Sequence, residues 1–157
     1  MAVAVAAMVA AAGCGPSSTT VTGTGIAAQP SAVRDGGFEF GVQDVSQVHQ
    51  VGDPKDPALS ITAKGVFVVV ALSIRNVGEG PLTFFDRYQT LIDSSGNQYS
   101  ASMAADIYGN LGIPSTKIAP GAALVVRLAF DVPVDTKPTN LTLRQSDSSA
   151  GVTVTLS

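Results

Sequence analysis

From Val33 onward, apolar and polar residues alternate with a period of two, the spacing that puts successive side chains on opposite faces of an extended chain. Phe38, Phe40 and Val42 alternate with Glu39 and Gly41, which predicts a strand with one wet face. Val45 and Val48 extend it past Asp44. The run Val51-Gly52-Asp53-Pro54-Lys55-Asp56-Pro57 then predicts a loop, because each proline fixes its own backbone and biases the residue before it away from helix. The strongest element is 65–76: Val66, Val68, Val70, Leu72 and Ile74 share one face, and Phe67, Val69 and Ala71 the other. Such β-branched density predicts a central strand, buried on one side against a second sheet and partly covered on the other.

Shorter segments follow the same period. Residues 82–85 and 89–93 read as strands, and Ser94-Ser95-Gly96-Asn97 as a hairpin connection into Gln98-Tyr99-Ser100. Residues 101–108 form the one helical stretch, stopped by Gly109-Asn110. After the tight turn at Pro120-Gly121, Leu124, Val126, Leu128, Phe130 and Val132 line one face, with Arg127 and Asp131 opposite. Residues 141–144 and 152–156 supply the last two strands. About eight short strands at sandwich-like intervals, without βαβ alternation, predict an all-β chain folded as an antiparallel β-sandwich.

Upstream of Val33 the pattern disappears. Residues 15–32 are rich in Ser, Thr and Gly with no periodic apolar face. A flexible coil of ~18 residues spans roughly 23 Å, so the segment reads as a tether, and its Ser/Thr cluster could accept O-linked sugars. Before it, Val9-Ala10-Ala11-Ala12-Gly13-Cys14 resembles a bacterial lipobox. Ala11, Ala12 and Gly13 are small enough to lie extended in a protease groove, and the Cys14 thiol is the sulfur that would carry the lipid. The family pattern usually has Leu where Ala11 stands. The run Met1-Ala2-Val3-Ala4-Val5-Ala6 has no Lys or Arg, whereas secretory segments open with positive charge; the true start is therefore expected upstream. The resemblance implies a signal peptide over 1–13, a lipidated Cys14 with tether over 14–32, and one domain over 33–157 anchored outside the cytoplasm. The competing reading of Cys14 is an inert buried thiol in an alanine-rich helix.

Composition narrows the partners. Net charge is −3, charged residues make up 13% of the chain, and no Lys/Arg run occurs, so the footprint of nucleic-acid binding is missing. With Cys14 as the only cysteine, no intramolecular disulfide can form, and stability must come from apolar burial and backbone pairing.

Three groups of residues carry a wider resemblance: Val68-x-Val70-x-Leu72-x-Ile74-x-Asn76-x-Gly78-x-x-Pro81, Leu91-x-Asp93-x-x-Gly96-x-x-Tyr99, and Pro120-Gly121 with Leu128-x-Phe130-x-Val132-Pro133. Together they resemble the immunoglobulin-like domain of unknown function found on secreted and lipid-anchored proteins of actinobacteria and firmicutes. Its structurally known relatives include a secreted mycobacterial antigen. The resemblance spans 38–156 and implies an exported immunoglobulin-like sandwich of surface-binding character, with no established catalytic residues to carry over.

Reactive constellations are sparse. His49 is the only histidine and no Gly-x-Ser-x-Gly elbow exists, so a solvated strand-end histidine is expected rather than a nucleophile's base. Without paired His or Cys spacing, neither a transition-metal site nor any cofactor is expected. Asp53 and Asp56 could join a calcium loop, but Asx-turn capping is simpler. The Asp93 loop lacks a distal bidentate Glu and reads as a hairpin turn. Asn140-Leu141-Thr142 is a formal glycosylation sequon, to which a bacterial lipobox assigns no modification.

The segment Phe84-Phe85-Asp86-Arg87-Tyr88 stands out. Adjacent phenylalanines in a strand face opposite ways; one should enter the core, while Phe85, Arg87 and Tyr88 form a candidate partner-binding patch. The expected function is a non-enzymatic, lipid-anchored module presenting this surface to an envelope or host protein. The alternative is a carrier holding a small apolar ligand between its sheets, lined by Val68, Leu72, Leu124 and Phe130.

Overall fold

The computed structural model describes residues 32–109 and 115–156. The lipidation expected at Cys14 and the leader and tether around it lie outside the described residues, apart from Ala32. Ten strands are described: β1 (Val33–Asp35), β2 (Phe38–Gly52), β3 (Ser60–Asn76), β4 (Leu82–Phe85), β5 (Thr90–Asp93), β6 (Gln98–Ser100), β7 (Ser115–Ile118), β8 (Ala123–Val132), β9 (Pro138–Leu143) and β10 (Val152–Thr155). Helix α1 (Met103–Gly109) and two 3-10 turns, Pro57–Leu59 and Asp86–Tyr88, complete the set.

Two four-stranded antiparallel sheets, ordered β1-β2-β3-β8 and β10-β9-β5-β6, form the sandwich, and β4 pairs with β7 in a small third sheet. The all-β reading therefore holds, with two more strands than expected. β1 and β7 were not anticipated. β2 and β3 are also longer than expected: β2 runs two residues into the predicted loop, to Gly52, and β3 begins at Ser60. Two register shifts, between Val42 and Asp44 and between Val48 and Gln50, let β2 keep pace with β3 along their length; such bulges bend and twist a strand without ending its pairing.

The core sits where the alternation put it. Val66, Val68, Val70, Leu72 and Ile74 of β3 meet Val126, Leu128, Phe130 and Val132 of β8, and Leu91, Leu141 and Leu143 of the facing sheet close over them. Phe38, Phe40 and Phe84 pack as a tilted aromatic trio with centroids 5.8 to 6.4 Å apart, a geometry that favours ring edges against ring faces. The opposite face of β3 is covered too. Phe67, Val69 and Ala129 pack against Ala105 of α1 in a second, smaller cluster, which explains why β3 carries apolar residues at nearly every position.

Asn76 ends β3 fully buried. Its Nδ2 donates to Gly80 O (2.8 Å) and Ile118 O (2.9 Å), and its Oδ1 accepts from Gly78 N–H (2.8 Å). The Asn-x-Gly spacing is thus a turn whose buried amide is fully matched, as burial of a polar group demands. At the far edge, Asp35 accepts from Gln145 N–H, Ser149 Oγ–H and Gly151 N–H, tying β1 to the β9–β10 connection.

The turn residues behave as expected. Asp53 Oδ1 accepts from Lys55 N–H and Asp56 Oδ1 from Ala58 N–H, both at 2.9 Å. Asp93 accepts from Ser95 N–H, from both nitrogens of Asn97 and from Tyr99 O–H. Gly96 sits at φ 83°, a left-handed conformation that glycine adopts without strain. These aspartates serve local turns, and among the described residues no group of three or more His, Cys, Asp or Glu is placed to share a metal ion.

Candidate functional site

The chain turns sharply after β4, and the two phenylalanines separate as the strand pleat requires. Phe84 enters the core at 3% exposure, while Phe85 stays half-buried at the rim. In the following 3-10 turn, Arg87 is exposed and Tyr88 half-buried. The Arg87 guanidinium carbon lies 4.5 Å from the Phe85 ring centre and 4.8 Å from that of Tyr88. The rings meet edge to face at 5.4 Å, and Arg87 Nη2 donates to Tyr88 Oη at 2.9 Å. The structure thus brings together all three predicted patch residues. A cation stacked on two rings is held in place at the surface, so ordering it for a partner costs little further side-chain entropy.

Two buried residues that the sequence did not single out hold this turn. Gln89, fully buried, donates from Nε2 to Phe85 O (2.9 Å) and Arg144 O (3.0 Å) and accepts at Oε1 from Arg144 N–H (2.8 Å). Its own N–H closes the turn on Asp86 O at 3.0 Å. Asp86 is buried beneath the patch and accepts from Arg87 N–H at 2.6 Å. Burial pushes its carboxyl above the usual range, against the lowering effect of the Arg87 amide and charge. The patch has a second cation beside it: Thr83 pairs with Lys117 and Phe85 with Ser115, so Lys117 shares a face of the small sheet with Phe85.

The alternative carrier reading would need a cavity between the sheets, but the described side chains there are packed. Val68, Leu72 and Phe130 are wholly buried in the packed core, with Leu124 packed at its edge. Alternation identifies which face is apolar, and here that face is filled by the opposing sheet. A half-open groove of about 780 Å³ lies instead on the outer side of β2, β3 and β8, beside α1. Val48, Val51, Leu59, Val69 and Ile107 give it apolar walls, and Tyr108 and Arg127 add polar groups.

His49 is exposed on β2, its Nδ1 3.4 Å from Gly65 O. Another buried carboxyl, Asp106 on α1, accepts from Ala129 N–H at 2.6 Å. Among the described residues no helix is long and apolar enough to cross a membrane.

Several solved structures share the fold. The yjhA protein from Bacillus subtilis is 14% identical, with a TM-score of 0.58 over 81% of this chain and 96% of that one. MPT63, a secreted protein from Mycobacterium tuberculosis, is 17% identical, with a TM-score of 0.52 over 68% and 74%. An uncharacterised β-sandwich protein from Clostridium difficile is 14% identical, with a TM-score of 0.51 over 83% and 93%. No curated protein matches the chain in sequence. Residues 31–153 match the family described as "Domain of unknown function (DUF4352)", and the chain, a β-sandwich built on that family's domain, belongs to it.

Proposed function

We propose that this protein is an extracytoplasmic, lipid-anchored interaction module: Cys14 carries the lipid, and the sandwich captures an envelope or host protein without covalent chemistry. The observation that carries this reading is the stacked Phe85–Arg87–Tyr88 patch, an exposed cation fixed between two aromatic rings on a turn braced from inside by Gln89. Aromatic and arginine side chains dominate binding energy at protein interfaces because they bury large area at low entropic cost. With Lys117 on the same face, the surface suits a partner segment that offers carboxylates. The secreted relative MPT63 supports export, and the lipobox-like run ending at Cys14 supports the anchor. A photo-crosslinking residue at position 87 should capture a discrete partner in intact envelopes, and one at exposed Val134 should not. Equal capture from both positions would count against the patch.

The outer groove favours a second reading, a carrier for an apolar ligand. Its apolar walls and its size match the 300–1,000 Å³ of typical small-molecule sites. An environment-sensitive apolar dye bound in this groove should be lost in Val51→Arg; a dye unaffected by that change would remove the reading.

A further inference from the structure

Asp86 and Asp106 reach the interior from two separate elements, the turn that carries the patch and helix α1, and only 4% and 1% of their surface stays exposed. Each carboxyl spends one oxygen on a backbone amide, Asp86 Oδ1 on Arg87 N–H and Asp106 Oδ1 on Ala129 N–H. The Oδ2 atoms are buried and without a hydrogen-bond partner, and the two carboxyl groups act on each other where helix α1 packs against the Asp86–Tyr88 turn. Neither of two ionised carboxylates can donate, so a bond between them requires a proton on one.

We propose that Asp86 and Asp106 hold a single proton between their carboxyl groups, and that this proton latches helix α1 to the turn bearing Phe85, Arg87 and Tyr88. Without it, two adjacent negative charges would be left in a site with almost no water, an arrangement relieved by separating the two elements. Because α1 also walls the outer groove, the latch couples the groove to the patch. The inference rests on burial and pairing, and stands whether or not the patch binds a protein.

The surrounding charges leave the pair dependent on its proton. Arg87 is the cation that acts on Asp86, through its charge as well as its amide. The strand register puts Asp44, Arg75, Arg127 and Asp131 on the sheet face that α1 covers. Three of these are exposed, and Asp131, half-buried, accepts from Lys64 N–H and Gly65 N–H. His49 is likewise exposed, and Tyr108 lies on α1 itself. Burial foremost, then the charge and hydrogen bond of Asp86, push the Asp106 carboxyl up to about 8 against the opposing Ala129 amide.

The sign of the pH effect follows. Between ~pH 4, where an unfolded aspartate ionises, and about 8, the folded protein holds a proton that the unfolded chain has released. The folding constant therefore falls by up to tenfold per pH unit across that window and levels off above it. In Asp106→Asn, the amide can still accept from Ala129 N–H and can donate permanently to Asp86. Denaturation midpoints from ~pH 5 to ~pH 9 should fall in the wild type and stay level in Asp106→Asn, with Asp86→Asn as the second variant should the first fail to fold. His49 is present in all of these proteins and cancels in the difference. At neutral pH the wild type should show the infrared band of a protonated carboxyl, absent from the double asparagine variant, and above ~pH 8 the Ala129 amide should lose hydrogen-exchange protection in the wild type alone. Parallel pH curves for wild type and variant, or no protonated-carboxyl band at neutral pH, would overturn the shared proton. Unchanged Ala129 protection would overturn the latch.

Discussion

Replacing Gln89 by leucine keeps nearly the same volume but removes three hydrogen bonds from a site with no exposure to water. Phe85 O and Arg144 O lose the Nε2 donor, and Arg144 N–H loses its acceptor. Each bond contributes about 1 kcal/mol net, and a buried donor left unmatched costs about 1–3 kcal/mol. The added apolar burial of leucine offsets about 1 kcal/mol, leaving a loss of roughly 3 kcal/mol. For a domain of this size that corresponds to about 10 °C in Tm. Urea denaturation followed by circular dichroism measures it directly, with Gln98→Leu on the exposed side of β6 as a control near zero. Because the same three bonds brace the turn under Phe85 and Tyr88, the variant should also show shifted Tyr88 ring resonances while folded. A loss below ~0.5 kcal/mol would refute the reasoning, since it would mean that water or repacking matches the freed groups.

Val70→Asp or Leu72→Asp places an unmatched carboxylate at a wholly buried position between the sheets and should cost several kcal/mol; Lys55→Ala, exposed beside the proline loop, should leave the denaturation midpoint unchanged. Cys14→Ala should release the protein from membranes without unfolding it, and fatty-acid labelling should mark the wild type only. Asp93 is held below the usual carboxylate range, foremost by the Asn97 side chain, and Asp35 is lowered by hydrogen bonds from Ser149, Gln145 and Gly151 that outweigh its burial. Their stabilisation is therefore present above the ordinary aspartate value and lost as pH falls through their lowered folded-state values, so Asp93→Asn should flatten the acid limb of a stability–pH curve.

The main core was legible because period-two alternation reports which face of a strand is buried. Val66, Val68, Val70, Leu72 and Ile74 were read correctly from spacing alone. β1 and β7 were not, since three or four residues such as Val33–Asp35 or Ser115–Ile118 carry too little pattern to stand out from a loop. The Phe85–Arg87–Tyr88 cluster was visible because its members fall within four residues of the chain, whereas the groups that its supports meet lie far away in sequence. Gln89 meets Arg144, and Asp86 meets Asp106, only after folding. A buried glutamine or aspartate looks in sequence like any surface polar residue. The alternative of a cavity between the sheets was open in the sequence for a similar reason: apolar side chains lining a cavity and apolar side chains filling a core share one pattern, and packing across the sheets decides between them.

The central claim is that the patch, and no catalytic group, carries the function. Phe85→Ala with Tyr88→Ala removes both ring contacts to Arg87 while leaving Phe84 and the core untouched, and His49→Ala removes the only histidine. Partner capture from intact envelopes, measured beside circular dichroism, compares the two. The account predicts that the double variant keeps its β-type spectrum and loses capture by at least tenfold, about 1.4 kcal/mol, and that His49→Ala matches the wild type in both. Full capture by the folded double variant, or loss of a hydrolytic activity in His49→Ala with capture intact, would contradict it.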